Sequence, residues 1–136
     1  MRINAYLEFD GQCQEAFKFY QSVLGGKITA MMPFEGSPGE GHVPPGWRSK
    51  TMHAQLDLGD DVLMGSDGMP GKMEKPQGFD VSIQVQEPAE AERIFNALAD
   101  GGDVVMAIDE TFWAHRFGML TDRFGTPWMV NCSKTE

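Results

Sequence analysis

Three histidines, His42, His53 and His115, are the side chains of this chain best suited to moving a proton or holding a divalent ion near neutral pH. His53 stands before Ala54 to Leu58 and His115 before Arg116 to Leu120, each at what reads as the start of a strand. An imidazole hydrogen-bonded in place and an imidazole acting as ligand or general base are both open there. Phe112, Trp113 and Trp128, near His115 in sequence, offer the apolar walls and hydrogen-bonding edge that small-molecule pockets combine. Glu8 alternates with Tyr6 and Asn4, away from Ala5, Leu7 and Phe9, and reads as a general base or as an exposed carboxylate. Cys13 and Cys132 form no CxxC pair and read as packed thiols of a reducing compartment. The ten methionines suggest adaptable apolar surfaces, in a core or in a permissive binding site.

The elements that must position these groups occur twice. Ile3 to Phe9 reads as a strand, and Cys13, Ala16, Phe17, Tyr20, Val23 and Leu24 then recur at helical spacing. Gly25-Gly26 stops that helix, and Lys27 to Met32 returns as a strand. Past mid-chain, Phe79 to Val85 is a strand, Glu87-Pro88 opens a helix with stripe Ala91, Ile94, Phe95 and Leu98, Gly101-Gly102 stops it, and Asp103 to Ile108 returns. Each half closes with a hairpin, through Gly59-Asp60-Asp61 to Val62 to Ser66 and through Thr121 to Gly125 to Trp128 to Cys132. The reading is α+β, one domain over 1–136 built of two βαβββ units at about 1–68 and 77–136. Two breaker-rich loops interrupt it, Pro33 to Ser49 and Gly68 to Gly78, with His42 and Trp47 giving the first something to bind with.

At 136 residues and 41% hydrophobic, the chain is long enough for one well-buried domain. A formal net charge of −9 disfavours nucleic acid, whose binding depends on Lys and Arg meeting phosphates. The apolar runs are too short to span a bilayer and the N-terminus lacks the regions of a signal peptide, so no membrane partner and a cytoplasmic location are expected. There is no glycine-rich dinucleotide turn, no GxxxxGK[ST] phosphate loop and no GxSxG elbow.

Phe19-Tyr20 before Val23-Leu24-Gly25, within paired βαβββ units, resembles the vicinal oxygen chelate superfamily, the glyoxalase and bleomycin-resistance fold. Tyr6 to Cys13, Ser66 to Pro70, Glu110 to His115 and Gly118 to Asn131 resemble its PhnB-like branch, so the likeness covers nearly the whole chain. It implies curved mixed sheets forming a cup that takes a ligand, and a homodimer. In the superfamily's metalloenzymes two ligands from each unit hold a divalent ion that acts as a Lewis acid. Carried onto this sequence, those positions fall on Ala5, on Met64 or Gly65, near Asp80, and on Met129, and only Asp80 has a hard donor. The resemblance therefore implies no glyoxalase-type metal and no cofactor. The family's label of demethylubiquinone methyltransferase does not suit a chain lacking a doubly wound nucleotide-binding half.

The expected function is binding of a small organic molecule in a metal-free cup, with His53, Asp80, Trp113, His115, Met129 and Asn131 as candidate contacts. Strand alternation places Met129 and Asn131 on one face and Trp128 and Val130 on the other. The alternative is an isomerase, lyase or dioxygenase of the same fold with a non-standard metal site on His53 or His115.

Overall fold

The computed structural model describes residues 1–134. The chain divides into two compact units, Met1–Glu74 and Lys75–Glu136. In the first, β1 (Tyr6–Phe9), α1 (Cys13–Leu24), β2 (Lys27–Pro33), β3 (Thr51–Leu58) and β4 (Asp61–Asp67) build a sheet ordered β1-β4-β3-β2. In the second, β5 (Val81–Gln84), α2 (Pro88–Ala99), β6 (Asp103–Asp109), β7 (Ala114–Thr121) and β8 (Pro127–Ser133) repeat it as β5-β8-β7-β6. In each sheet the first and last strands pair in parallel, β1 with β4 and β5 with β8, and the other neighbours are antiparallel. The fold is α+β. Among the described residues no helix is long and apolar enough to cross a membrane.

Each sheet buries one face under its own helix. On α1 the buried residues are Cys13, Ala16, Phe17, Tyr20 and Val23, the predicted stripe except for Leu24, which is only half-buried, and on α2 they are Ala91, Ile94, Phe95 and Leu98, as the spacing predicts. Phe17 and Phe95 come so close that a β-carbon on the strand beneath has no room. A Cβ on Gly65 of β4 would lie 2.9 Å from the Phe17 ring, and one on Gly118 of β7 would lie 2.6 Å from the Phe95 ring. These glycines fix which face is which. Leu7, Ala54, Leu56 and Leu63 share the helix side with Gly65, and Leu120, Trp128 and Val130 share it with Gly118.

The paired glycines after the helices divide their labour. Gly25 and Gly101 take positive φ of 81° and 79° where the helices stop, Gly25 in open space and Gly101 against the Arg123 side chain, whose Nε would lie 3.2 Å from a β-carbon there. Gly26 and Gly102 serve a different purpose, since a β-carbon there would run into the carbonyls of Asp57 and Thr121 as β2 and β6 join their sheets. Helix termination and strand docking thus need consecutive glycines.

The strand limits differ from the sequence expectation where tertiary pairing runs out. β1 begins at Tyr6 rather than Ile3, although the Ala5 carbonyl still accepts the Met64 N–H at 3.2 Å. β5 begins at Val81 rather than Phe79, so Asp80 lies just ahead of the ladder. Both histidines lie inside their strands. They are also out of step: Lys27 pairs with Asp57 and Asp103 with Thr121, and four positions back are His53 in one unit and Phe117 in the other. His115 therefore does not occupy the place in its unit that His53 holds.

The Pro33 to Ser49 loop is ordered from within. Phe34 and Val43 are buried, and Phe34 N–H and Glu35 N–H donate to the Lys50 and Arg48 carbonyls at 3.0 and 2.9 Å. Trp47 Nε1 donates to the Gly68 carbonyl at 3.0 Å with Lys50 over its ring, so this indole pins the loop rather than standing ready for a ligand.

Candidate functional site

The sheet face away from α2 gathers most of the second unit's candidate residues. Gln84 pairs with Asn131, Asn131 with Phe117, Ser82 with Met129 and Met129 with Met119. Register puts all six side chains on the side opposite Gly118 and Val130. Trp113, ahead of β7, meets the Phe117 ring edge-on at 5.3 Å, and Phe112 meets Trp113 at 4.9 Å. The result is a floor of sulfur and aromatic surface crossed by a strip of amides and hydroxyls.

That strip is a ladder with one free rung. Gln84 Nε2 donates to Ser82 Oγ at 2.9 Å, and Asn131 Nδ2 donates to Gln84 Oε1 at 2.7 Å and to Ser133 Oγ at 3.2 Å. Both amide hydrogens of Asn131 are thereby used, which fixes which way the group points. Its Oδ1 is buried and has no hydrogen-bond partner, on a residue only 7% exposed. Among the described residues it is the one buried side-chain polar atom in that condition. An amide oxygen removed from water without a donor costs about 1–3 kcal/mol.

The other candidates separate from this group. Trp128 lies on the helix side, 1% exposed, with Nε1 donating to Asp122 Oδ2 at 2.8 Å, so it is no wall of the open face. His115 is exposed beside a break in the β7–β8 register, and its carbonyl accepts from Arg116 Nη1. His53 belongs to the first sheet's open face, where its Nδ1 lies 3.1 Å from the Tyr6 hydroxyl and the two rings stack at 5.8 Å. Tyr6 is the partner that sequence alone did not supply, because it takes the β1–β4–β3 register to bring residues 47 positions apart together.

Two buried carboxylates do structural work. Asp67, at the end of β4, accepts Gly11 N–H and Cys13 N–H on Oδ1 at 2.8 and 3.0 Å, and Thr51 N–H on Oδ2 at 2.8 Å. It caps α1, whose preceding residue Gln12 makes no side-chain cap. Asp122 accepts Phe124 N–H and Thr126 N–H on Oδ1 at 2.8 and 3.0 Å, beside its bond from Trp128. Cys13 is pushed up to about 12 by burial, with the Asp67 charge adding to it and a Thr51 hydrogen bond opposing it. A thiol so placed is no nucleophile at neutral pH.

The four positions that would hold a divalent ion do not fit one. Ala5 has no side-chain donor, Met64 and Met129 offer soft thioethers on the open faces, and Asp80 alone brings a carboxylate. Among the described residues no three His, Cys, Asp or Glu side chains come together as a metal-binding group.

Residues 2–130 match the family model of the Glyoxalase/Bleomycin resistance protein/Dioxygenase superfamily. The chain belongs to that superfamily. Protein YjdN of Escherichia coli strain K12 is 35% identical over 144 residues, spanning 100% of this chain and 98% of the relative. Among solved structures of the superfamily's fold, protein PA1353 from Pseudomonas aeruginosa superposes with a TM-score of 0.90 at 50% identity, covering 98% of each chain. A PhnB protein from Bacillus cereus superposes at 0.81 with 21% identity, covering 98% of this chain and 100% of that one, which is a likeness of fold.

Proposed function

We propose that this glyoxalase-superfamily protein binds a small organic molecule on the open face of its second sheet, without a metal ion. The observation that carries the reading is the unpaired Oδ1 of Asn131, set in a face of Phe117, Met119 and Met129. Small-molecule sites combine an apolar lining with a few fixed polar groups, and a donor on the ligand would relieve this oxygen. None of the side chains grouped there is cationic, so a neutral or cationic molecule is favoured over an anion. The oxygen is closed to solvent, so a ligand reaches it only by a local rearrangement, and binding is expected to be slower than diffusion allows.

A ligand-observed NMR screen of pairs differing by one donor, phenol with anisole and indole with N-methylindole, tests this. The donor-bearing partner is expected to bind about tenfold tighter, with shifts at the Met119 and Met129 methyls, and Asn131→Ala is expected to abolish the preference. Binding by no pair, or shifts confined to other residues, overturns it. Homodimerisation and a cytoplasmic setting belong to the same reading. The first is supported by the exposed Val104, Val105 and Met106 on edge strand β6, the second by two unbridged, buried cysteines. Light scattering of the full chain tests the dimer.

One observation favours a second reading, an isomerase, lyase or dioxygenase of the same fold. The Tyr6 hydroxyl on His53 Nδ1 leaves the other imidazole nitrogen available as base or ligand. Melting of the chelator-treated protein against Ni, Zn, Co, Mn and Fe(II) decides: a shift abolished by His53→Ala supports an enzyme, and no shift leaves the metal-free binder.

A further inference from the structure

The first unit contains a recess of about 300 Å³, lined by Gln14, Met31, Pro33, Glu35, Ser49 and Thr51. It lies on the opposite side of its sheet from the Tyr6–His53 pair, since Met31 pairs with Ala54, whose neighbour Gly65 faces α1. Its walls come from the first turn of α1, the end of β2, the Pro33 to Ser49 loop and the start of β3. Three features make these walls a fixed frame. Glu35 N–H is tied to the Arg48 carbonyl, the loop is anchored through Phe34, Val43 and Trp47, and Thr51 N–H is held by Asp67. The Thr51 hydroxyl lies 3.6 Å from Met31 Sδ, leaving an apolar floor beside polar walls.

We infer that this recess is a binding site for a small hydroxylated or amide-bearing organic cation. Its volume is at the lower end of small-molecule sites. The only formal charge in its lining is the Glu35 carboxylate, and Gln14 and Ser49 add a side-chain amide and a hydroxyl. An anion is not suited to it. At its edge the first N–H of α1, that of Cys13, and the Gly11 N–H before it already meet the Asp67 carboxylate, which an anion would have to approach. An ammonium facing Glu35, with hydroxyls toward Gln14 and Ser49, uses the polar side chains of the lining other than Thr51, whose hydroxyl is turned to Met31 Sδ.

The experiment is a two-dimensional amide NMR titration of the full chain with glucosamine, choline and putrescine, and with N-acetylglucosamine as the uncharged counterpart of the first. The expected result is saturable shifts at Gln14, Glu35, Ser49 and Thr51 with at least one of the three cations, and at least fivefold weaker binding by N-acetylglucosamine. Glu35→Gln preserves shape and is expected to weaken the cation about fivefold. Gln14→Ala, in the α1 part of the lining, is expected to weaken a hydroxylated cation more than putrescine. Shifts elsewhere, equal binding of the uncharged sugar, indifference to Glu35→Gln, or no shift with any cation overturns the inference.

Discussion

The two units begin their helices in opposite ways. α1 starts with Cys13, whose N–H needs an acceptor and finds it on Asp67, 54 residues further along the chain. α2 starts with Pro88, which has no N–H to satisfy. The strand position changes in step: Phe9 pairs with Asp67 at the end of β4, and continuing the Gln84 with Asn131 register by one residue brings Val85 to Cys132. One unit spends an acid on closing its turn, helix and third strand together, and the other needs only a buried thiol there. The acid of the second unit, Asp122, binds groups two, four and six residues away. The same fold is held by a long-range clamp in one half and a local one in the other.

Removing the clamps tests that contrast most sharply. Asp67→Ala leaves three N–H groups without an acceptor and is expected to cost on the order of 4 kcal/mol, read from urea unfolding. Asp122→Ala is expected to cost about 2 kcal/mol, because the Phe124 and Thr126 N–H groups lie in one turn that can relax toward water while the Trp128 indole N–H is left buried without this acceptor. The reverse ranking would break the comparison. Gly118→Ala and Gly65→Ala should each cost about 1–3 kcal/mol by forcing Phe95 or Phe17 off its strand, sharpening the view that helix packing, unlike capping, is alike in the halves. Cys13 separates the units by pH. Its thiol is raised from 9.0 to about 12, so stability is whole below pH 9 and falls as pH rises toward 12, because the unfolded chain releases a proton that the folded chain keeps. That alkaline slope should flatten in Cys13→Ala. The smallest effect belongs to Glu110, held below the usual carboxylate range by its hydrogen bond from Lys134. Its contribution is present at neutral pH and lost on acidification, and being exposed it should appear only as an upward move of the Glu110 titration in Lys134→Ala, diminished by salt.

Much of this was legible in the chain because it rests on local period. The helical stripes of both units, the double glycine stops and the alternation separating Asn131 and Met129 from Trp128 follow from spacing alone. Asp67 and Asp122 stood within recognisable motifs, yet their roles depend on which N–H groups arrive beside them. For Asp67 those come from positions 11, 13 and 51. The composition of Pro33 to Ser49 announced a loop but could not show Phe34 and Val43 turning inward, since burial of two isolated apolar residues leaves no period. His53 and His115 each read as the start of a strand, and only pairing through Asp57 and Thr121 exposes the two-residue offset between them.

The bond from the Trp128 indole to Asp122 has an optical consequence. Trp128 is sealed in the second unit, Trp113 in the same unit is 43% exposed, and Trp47 is the first unit's own indole. Emission from Trp128 should be blue-shifted and shielded from iodide while Trp113 is quenched, and opening of the Thr121 to Pro127 turn should redden it. The chain thus carries its own unlabelled dye at the clamp of one half, and Trp47 serves the other.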